Sequence, residues 1–208
     1  MRTALRIVGE LSFTFGLVLL MFCAYLLWGT GSYTTQRQRA LQQQLEQEFG
    51  QEKESRGLGR VHLGGALALL RIPRLGTDYK YAIVEGTDAE QLRSGPGHYP
   101  GTAMPGQIGN FVISAHRTTY SAPFNRIDEL RRGDDIVVDA RDARYIYRVS
   151  QKEVVDPTRL DVVDPVPGHP AQRPSQALIT MTTCNPEYSA QQRLIVHGVL
   201  VTREARRA

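Results

Sequence analysis

Cysteine is scarce in this chain: only two occur among 208 residues. Cys23 lies inside an apolar run of membrane length, so Cys184 has no obvious disulfide partner. No disulfide framework is therefore available to stabilise the fold. An unpaired thiol on the extracytoplasmic side of a membrane is unusual, and it suggests a chemical role for Cys184.

The chain also has few lysines and no stripe of basic residues, which argues against some classes of partner. Lysine occurs only at positions 53, 80 and 152, the net charge is +4, and the arginines are scattered rather than alternating with aromatic residues, so no nucleic-acid partner is expected. No metal-ligand spacing is visible, so no metal site is expected. No other cofactor is expected either. A hydrophobic content of 41% with 22% charged residues is typical of a globular protein rather than a disordered one.

The N-terminus predicts a membrane anchor. No charged residue occurs from Leu11 to Gln36, and together with residues 7–10 the apolar run reaches about 20 residues, enough to span a bilayer. The run exceeds the roughly 7 to 15 apolar residues of a cleaved signal peptide, which favours a signal anchor over cleavage near residues 29–32. We expect a cytoplasmic segment at 1–10, a transmembrane helix at 11–32, and the rest of the chain outside the cell.

Residues 33–60 are rich in Gln, Glu and Arg, with Leu41, Leu45 and Phe49 at helical spacing. This composition predicts a solvated helical stalk that links the membrane to the following domain. A helix that binds a partner is the alternative.

From about Leu63 onward, short apolar and β-branched runs alternate with Gly, Pro, Asn and Asp. This pattern predicts an all-β barrel or sandwich with short helical turns at 89–92 and 127–130. We assign this domain to residues 61–204, followed by a short tail at 205–208. Residues 156–175 are rich in proline and predict a long loop. The candidate strands are 66–72, 81–85, 109–115, 135–139, 145–155, 177–183 and 193–201.

The strand before Cys184 alternates between two faces. Thr180, Thr182 and Cys184 share one face, and Ile179 and Met181 share the other. The thiol therefore ends a strand on a small, polar face, which suits a groove better than a dry core. Pro186 lacks an N–H group and ends the strand pairing directly afterwards. A buried structural thiol is the alternative interpretation.

A cysteine nucleophile needs a group that handles protons and a group that stabilises the oxyanion. His116 ends the strand that begins near Phe111, which is the same strand-end position that Cys184 has. Arg193 opens the next strand and can face Cys184 across the end of a hairpin, where its guanidinium can present two donors to a carbonyl oxygen. Each of the two also has a purely structural interpretation: His116 as a hydrogen-bonded structural residue, and Arg193 as a surface residue on an edge strand.

Two motifs carry a resemblance to a known family. The sequence Thr180-Met181-Thr182-Thr183-Cys184 followed by Arg193 resembles the signature of sortases, in which a Thr-Leu-x-Thr-Cys strand precedes an arginine strand. The sequence Ile113-Ser114-Ala115-His116-Arg117 is similar to the histidine motif of that family. The resemblance covers roughly residues 63–201. The context of Cys184-Asn185-Pro186 is most similar to the class E sortases of actinobacteria.

The resemblance implies a closed eight-stranded β-barrel that acts as a cysteine transpeptidase. Cys184 would attack the threonine carbonyl of a sorting signal resembling LPXTG, or LAXTG for class E, and form a thioacyl intermediate. A peptidoglycan precursor or another amine would then accept the substrate protein. His116 would transfer protons, Arg193 would hold the oxyanion, and Thr183 would help to shape the oxyanion site.

The loop after His116 contains Tyr120, which we expect to form a wall of the substrate groove. The resemblance implies a location in the cell membrane of a Gram-positive, actinobacterial cell, with LPXTG- or LAXTG-bearing surface proteins as partners. A pilin-polymerising sortase, a cysteine hydrolase and a catalytically inactive β-module are the alternatives. The sequence has no Asp-Pro-aromatic lid before the barrel and no second apolar span, which favours the anchoring of surface proteins over pilin assembly.

Overall fold

A computed structural model describes residues 2–50 and 64–205. The described N-terminal part is helical throughout, with α1 at Arg2–Ala24, a π-helical turn at Tyr25–Gly29 and α2 at Thr30–Gly50. Within α1, the segment Arg6–Ala24 is long and apolar enough to cross a membrane. This candidate span begins and ends earlier than the predicted 11–32.

Eight strands follow the helices. They are β1 (Ala66–Arg71), β2 (Lys80–Glu85), β3 (Gly97–His98), β4 (Gly109–Ser114), β5 (Asp135–Asp139), β6 (Ala143–Val155), β7 (Ala177–Asn185) and β8 (Gln192–Ala205). Helix α3 (Ala89–Ser94) and three 3₁₀ turns (Pro73–Leu75, Ile127–Glu129, Leu160–Val163) lie between them.

The strands form one closed barrel in the order β1-β2-β3-β4-β7-β8-β6-β5. Pairing is antiparallel except at β2/β3 and β4/β7, which are parallel. The predicted eight-stranded barrel with few short helices is confirmed. All seven strands expected from the sequence are present, and the eighth, β3, was missed because two residues next to Pro96 carry no alternating pattern.

The barrel interior is filled with aliphatic and aromatic side chains. Phe111 and Ile113 of β4 and Ile179 and Met181 of β7 are fully buried in this core. Because neighbouring residues of a strand point to opposite faces, this packing turns Thr180, Thr182 and Cys184 to the outside of the barrel, as the alternation predicts.

Helix α2 packs against the outside of the barrel. Leu41 and Leu45 are buried against a small cluster that includes Leu69 and Val84. Gln38 is buried as well: its Oε1 accepts the Ala82 N–H at 2.7 Å, and its Nε2 donates to the carbonyls of Ala82 (2.9 Å) and Ser94 (2.7 Å).

This packing corrects the predicted solvated stalk for the described residues up to 50. The apolar stripe of α2 contacts the barrel, so the helix is part of the folded domain there. The remainder of the predicted stalk and the predicted start of the barrel at 61–63 lie outside the described residues, as do residues 206–208 of the predicted tail.

Candidate active site

Strand pairing brings three of the predicted site residues to one end of the barrel. In the parallel pair β4/β7, Ser114 lies opposite Thr182, so both strands run to the same end of the barrel, where His116 follows β4 by two residues and Cys184 lies two residues after Thr182. In the antiparallel pair β7/β8, Cys184 lies directly opposite Arg193. The three residues therefore lie on or just beyond three neighbouring strands.

Cys184 is a free, half-buried thiol at the outer face of β7. The other cysteine, Cys23, is also free, and it is exposed on α1. The structure thus agrees with the expectation that Cys184 has no disulfide partner. A half-buried thiol at a strand end can contact a substrate in an open groove.

The imidazole of His116 is half-buried, and its ring centroid lies 4.9 Å from that of Tyr120. Within residues 2–50 and 64–205, neither of its nitrogens has a hydrogen-bond partner. Burial lowers the pKa of His116 below its usual range, and the nearby charge of Arg93 lowers it further. The ring is therefore neutral near pH 7 and able to accept a proton.

Arg193 folds over the β7/β8 turn. Its Nη1 donates to the carbonyls of Ala190 (2.9 Å) and Gln192 (3.0 Å). Directly opposed residues of an antiparallel pair have Cβ atoms about 4.5–5.5 Å apart on the same face, so the side chains of Arg193 and Cys184 start from neighbouring points. A guanidinium with five donors can keep one contact to the turn and still reach a ligand.

The two residues predicted to bind substrate differ in their surroundings. Thr183 is buried, and its hydroxyl donates to the Ala115 carbonyl at 2.8 Å, so it links β7 to the segment before His116 instead of facing an open groove. Tyr120 is half-buried beside His116, and the guanidinium of Arg93 lies 5.9 Å from its ring centroid. Only Tyr120 therefore has a position suited to a groove wall.

Arg117 was not among the predicted site residues. Its Nη1 donates to the side-chain oxygen of Asn185 at 2.7 Å and to the carbonyl of Cys184 at 3.4 Å, and its Nη2 lies 3.3 Å from Asp128 Oδ1. Arg117 is part of the histidine motif, so the sequence placed it near the site but did not predict which residues it contacts.

A second polar cluster lies farther along β7 and β8, away from Cys184. His197 Nδ1 lies 2.9 Å from the Thr180 hydroxyl, and His197 Nε2 lies 3.1 Å from Glu153 Oε1. Asn110 accepts from Thr180 (2.8 Å) and donates to the carbonyls of Val162 and Asp164 in the loop between β6 and β7. The cluster attaches that loop to the outside of the barrel.

Next to this cluster, the loop covers a cavity of about 350 Å³ whose lining includes Glu153, Arg159, His169 and His197. Across the described part of the chain, no group of three or more His, Cys, Asp or Glu side chains is arranged to hold a metal ion. The polar groups of Glu153 and His197 are bonded to one another, which joins β6 to β8 beside the loop.

Comparisons with known proteins agree with this architecture. A family model described as a sortase domain matches residues 70–201. Sortase SrtE1 of Streptomyces coelicolor is 34% identical over 98% of this chain, and the chain spans only 59% of the length of that relative. Sortase D of Bacillus subtilis is 33% identical, with 67% of this chain and 66% of that relative covered.

Solved structures give the same result. The crystal structure of sortase E1 from Streptomyces coelicolor, with a tripeptide in its active site, is 36% identical with a TM-score of 0.64, and the match covers 71% of this chain and 94% of that one. The SrtF sortase from Corynebacterium diphtheriae is 29% identical with a TM-score of 0.70, covering 76% of this chain and 95% of that one.

Proposed function

This chain belongs to the sortase family, and from that premise we propose that it is a membrane-anchored cysteine transpeptidase with Cys184, His116 and Arg193 as its catalytic residues. The observation that supports the proposal is the strand pairing: Cys184 lies opposite Arg193, and β4, which ends two residues before His116, runs parallel to β7 toward the same end of the barrel. A thiol, a proton carrier and a fixed cation at neighbouring strand ends can together perform acyl transfer.

The proposed substrate is a surface protein with an LPXTG- or LAXTG-like sorting signal, cleaved between Thr and Gly. The similarity to class E sortases supports the alanine at the second position of the signal. Tyr120, beside His116, is the proposed groove wall. An amine of a peptidoglycan precursor, or another cell-wall amine, is the proposed acceptor.

In the proposed first half-reaction, neutral His116 takes the proton of the Cys184 thiol and the thiolate attacks the threonine carbonyl. A carbon–sulfur bond forms and the carbonyl oxygen becomes an oxyanion, which the Arg193 guanidinium stabilises by hydrogen bonds. When the tetrahedral species collapses, the carbon–nitrogen bond breaks. The imidazolium of His116 then gives its proton to the departing glycine amine.

The second half-reaction reverses these roles. The acceptor amine attacks the thioester and loses a proton to neutral His116, while Arg193 again stabilises the oxyanion. The carbon–sulfur bond breaks, and the Cys184 thiolate leaves and recovers a proton from His116. The product is the substrate protein joined through its threonine to the acceptor by a new amide bond.

The proposed location is the cell membrane of a Gram-positive bacterium, with the barrel outside the cell. The apolar segment Arg6–Ala24 supports a single span, because its large side chains are exposed, as expected for a lipid-facing helix. Helix α2 continues from the span and packs on the barrel, so the active site would be held at a fixed distance from the membrane surface.

The test compares the full chain with its Cys184→Ala variant in detergent, using peptides that vary the second position of the signal and an amine acceptor. We expect a thioacyl adduct at Cys184 by mass spectrometry and transfer of the peptide, both absent in Cys184→Ala. Cys23→Ser is the matched control and should retain full transfer. Undiminished transfer by Cys184→Ala would refute the proposal.

A further inference from the structure

Arg117 is a charged side chain in an unusual place. Only 6% of its side chain is exposed, although burial of a guanidinium is costly unless the charge is paired. Its ion-pair partner Asp128 is 51% exposed, and its own Nε is buried without a hydrogen-bond partner among the described residues. An ion pair with a half-exposed carboxylate therefore offsets only part of the cost of burying this charge.

The contacts of Arg117 join the two segments that carry the proposed thiol and imidazole. Its backbone follows His116 directly, and its guanidinium reaches the carbonyl of Cys184 and the side chain of Asn185. The connection is reinforced from the same loop: Asn125 donates to the Arg117 carbonyl at 3.0 Å and to Glu187, just beyond β7, at 2.9 Å.

The regular strand contacts end just before this point. The last main-chain hydrogen bond from this segment to β7 is donated by the Ala115 N–H to the Thr182 carbonyl at 3.3 Å. Beyond it, His116 has no hydrogen bond from its ring nitrogens to any described residue, so its orientation depends on the backbone that carries it and on the ring contact to Tyr120. A proton-transferring imidazole normally has a partner that orients it.

We propose that Arg117 is the positioning residue that holds His116 and Cys184 in their reactive arrangement, by attaching the backbone after His116 to the backbone at Cys184. This inference rests on the proposed function. The planar fork of a guanidinium suits the task, because Nη1 contacts two oxygens at the end of β7 while Nη2 pairs with Asp128. A lysine at this position has a single nitrogen and cannot span both sides.

The first experiment measures transfer kinetics of Arg117→Met and Arg117→Lys in the full chain in detergent. A misplacement of about 1 Å can cost about 100-fold in rate, so we expect kcat to fall about 10- to 100-fold in Arg117→Met, with less loss in Arg117→Lys and KM within about twofold. The melting temperature should change little, because the Asp128 carboxylate is half-exposed and can be solvated once its partner is replaced.

The matched control is Arg126→Met, which removes a guanidinium from the same loop, where it pairs with Glu129 and the Leu75 carbonyl. It should leave kcat within about twofold of the parent. An unchanged kcat in Arg117→Met, or an equal loss in Arg126→Met, would overturn the inference.

A second measurement needs no peptide and therefore separates this inference from the proposed function. In a Cys23→Ser background, Cys184 is the only thiol, and its rate of alkylation is followed against pH. If the imidazole faces the thiol, the neutral ring can take the thiol proton as the sulfur attacks the reagent, so His116→Gln should slow alkylation near pH 7 by about tenfold or more.

We expect this effect of His116→Gln to disappear when Arg117→Met is also present, because the pair is then no longer held together. An equal effect in both backgrounds would show that Arg117 does not position the pair. The absence of any effect in the parent chain would also overturn the inference, since there would be no pair to hold. Transfer activity plays no part in these outcomes, so its absence would refute only the proposed function.

Discussion

Two histidines of this barrel have half-buried rings with lowered pKa values, yet their surroundings differ. His197 lies between the Thr180 hydroxyl and the Glu153 carboxylate, whereas His116 has only a ring contact to Tyr120 among the described residues. His98 resembles His197, since its Nδ1 lies 2.7 Å from Glu85. In this barrel, the carboxylates of Glu153 and Glu85 lie against His197 and His98 away from Cys184, whereas the ring nitrogens of His116 have no hydrogen-bond partner among the described residues and are accessible for proton transfer.

The largest effect should come from replacing His116 rather than His197. His116→Gln removes the proton carrier, so we expect transfer to fall by about 10²- to 10⁴-fold, the usual contribution of general acid–base catalysis. Its melting temperature should stay close to that of the parent, because no hydrogen bond of the ring is lost. His197→Gln should retain transfer within about threefold; a larger loss of transfer in His197→Gln than in His116→Gln would invert the comparison.

A smaller effect is expected from Asn110, which connects the His197 cluster to the loop between β6 and β7. Asn110→Ala leaves the Val162 and Asp164 carbonyls without their amide donor and leaves the Thr180 hydroxyl with His197 as its remaining partner. An unsatisfied buried polar group costs about 1–3 kcal/mol, so the free energy of unfolding should fall by about that amount in a denaturant titration. Gln107→Ala, at a nearby exposed turn, is the control and should change it by less than about 0.5 kcal/mol.

If the loop also contacts the sorting signal, Asn110→Ala should raise KM more than it lowers kcat. The same variant with an unchanged unfolding free energy would mean that the cluster does not hold the loop. A raised KM would show that the His197 side of the barrel affects substrate binding, whereas a change in the unfolding free energy alone would show that it only stabilises the loop.

The sequence predicted much of the barrel and the three proposed catalytic residues, because strand alternation and two motifs are local patterns. It did not predict contacts between distant positions. The apolar spacing of Leu41, Leu45 and Phe49 indicated a helix, but it could not indicate which surface the helix contacts. Gln38 was expected to be solvated as part of the stalk, whereas it is hydrogen-bonded to Ala82, 44 residues later.

The contacts of Arg117 were missed for the same physical reason. Its partners Asp128 and Asn185 come from a turn and a strand end that only the closed barrel brings together. The two-residue strand β3 is too short to carry a periodic signal, and its place is set by pairing with β2 and β4. Residues that act through long-range contacts are therefore those that local patterns leave out.

The smallest expected effect concerns the pH dependence of stability, to which both histidines should contribute with the same sign. Burial lowers the pKa of His197, although the hydrogen bond to Glu153 opposes the change, and burial with the charge of Arg93 lowers the pKa of His116. A histidine with a lowered pKa binds its proton more weakly in the folded chain than in the unfolded chain. Stability should therefore be unaffected above about pH 6.5 and should fall as the pH decreases below it.

The measurement is the melting temperature of the full chain in detergent between about pH 5 and pH 8. His197→Gln should flatten the acid-side decrease, because the unfolded chain then has one fewer group to protonate preferentially. His116→Gln should flatten it as well, since its pKa is lowered by burial in the same direction. His169→Gln, which alters an exposed histidine of the loop after β6, is the control. A steeper decrease in His197→Gln would mean that Glu153 outweighs burial and that the folded chain holds His197 as the imidazolium.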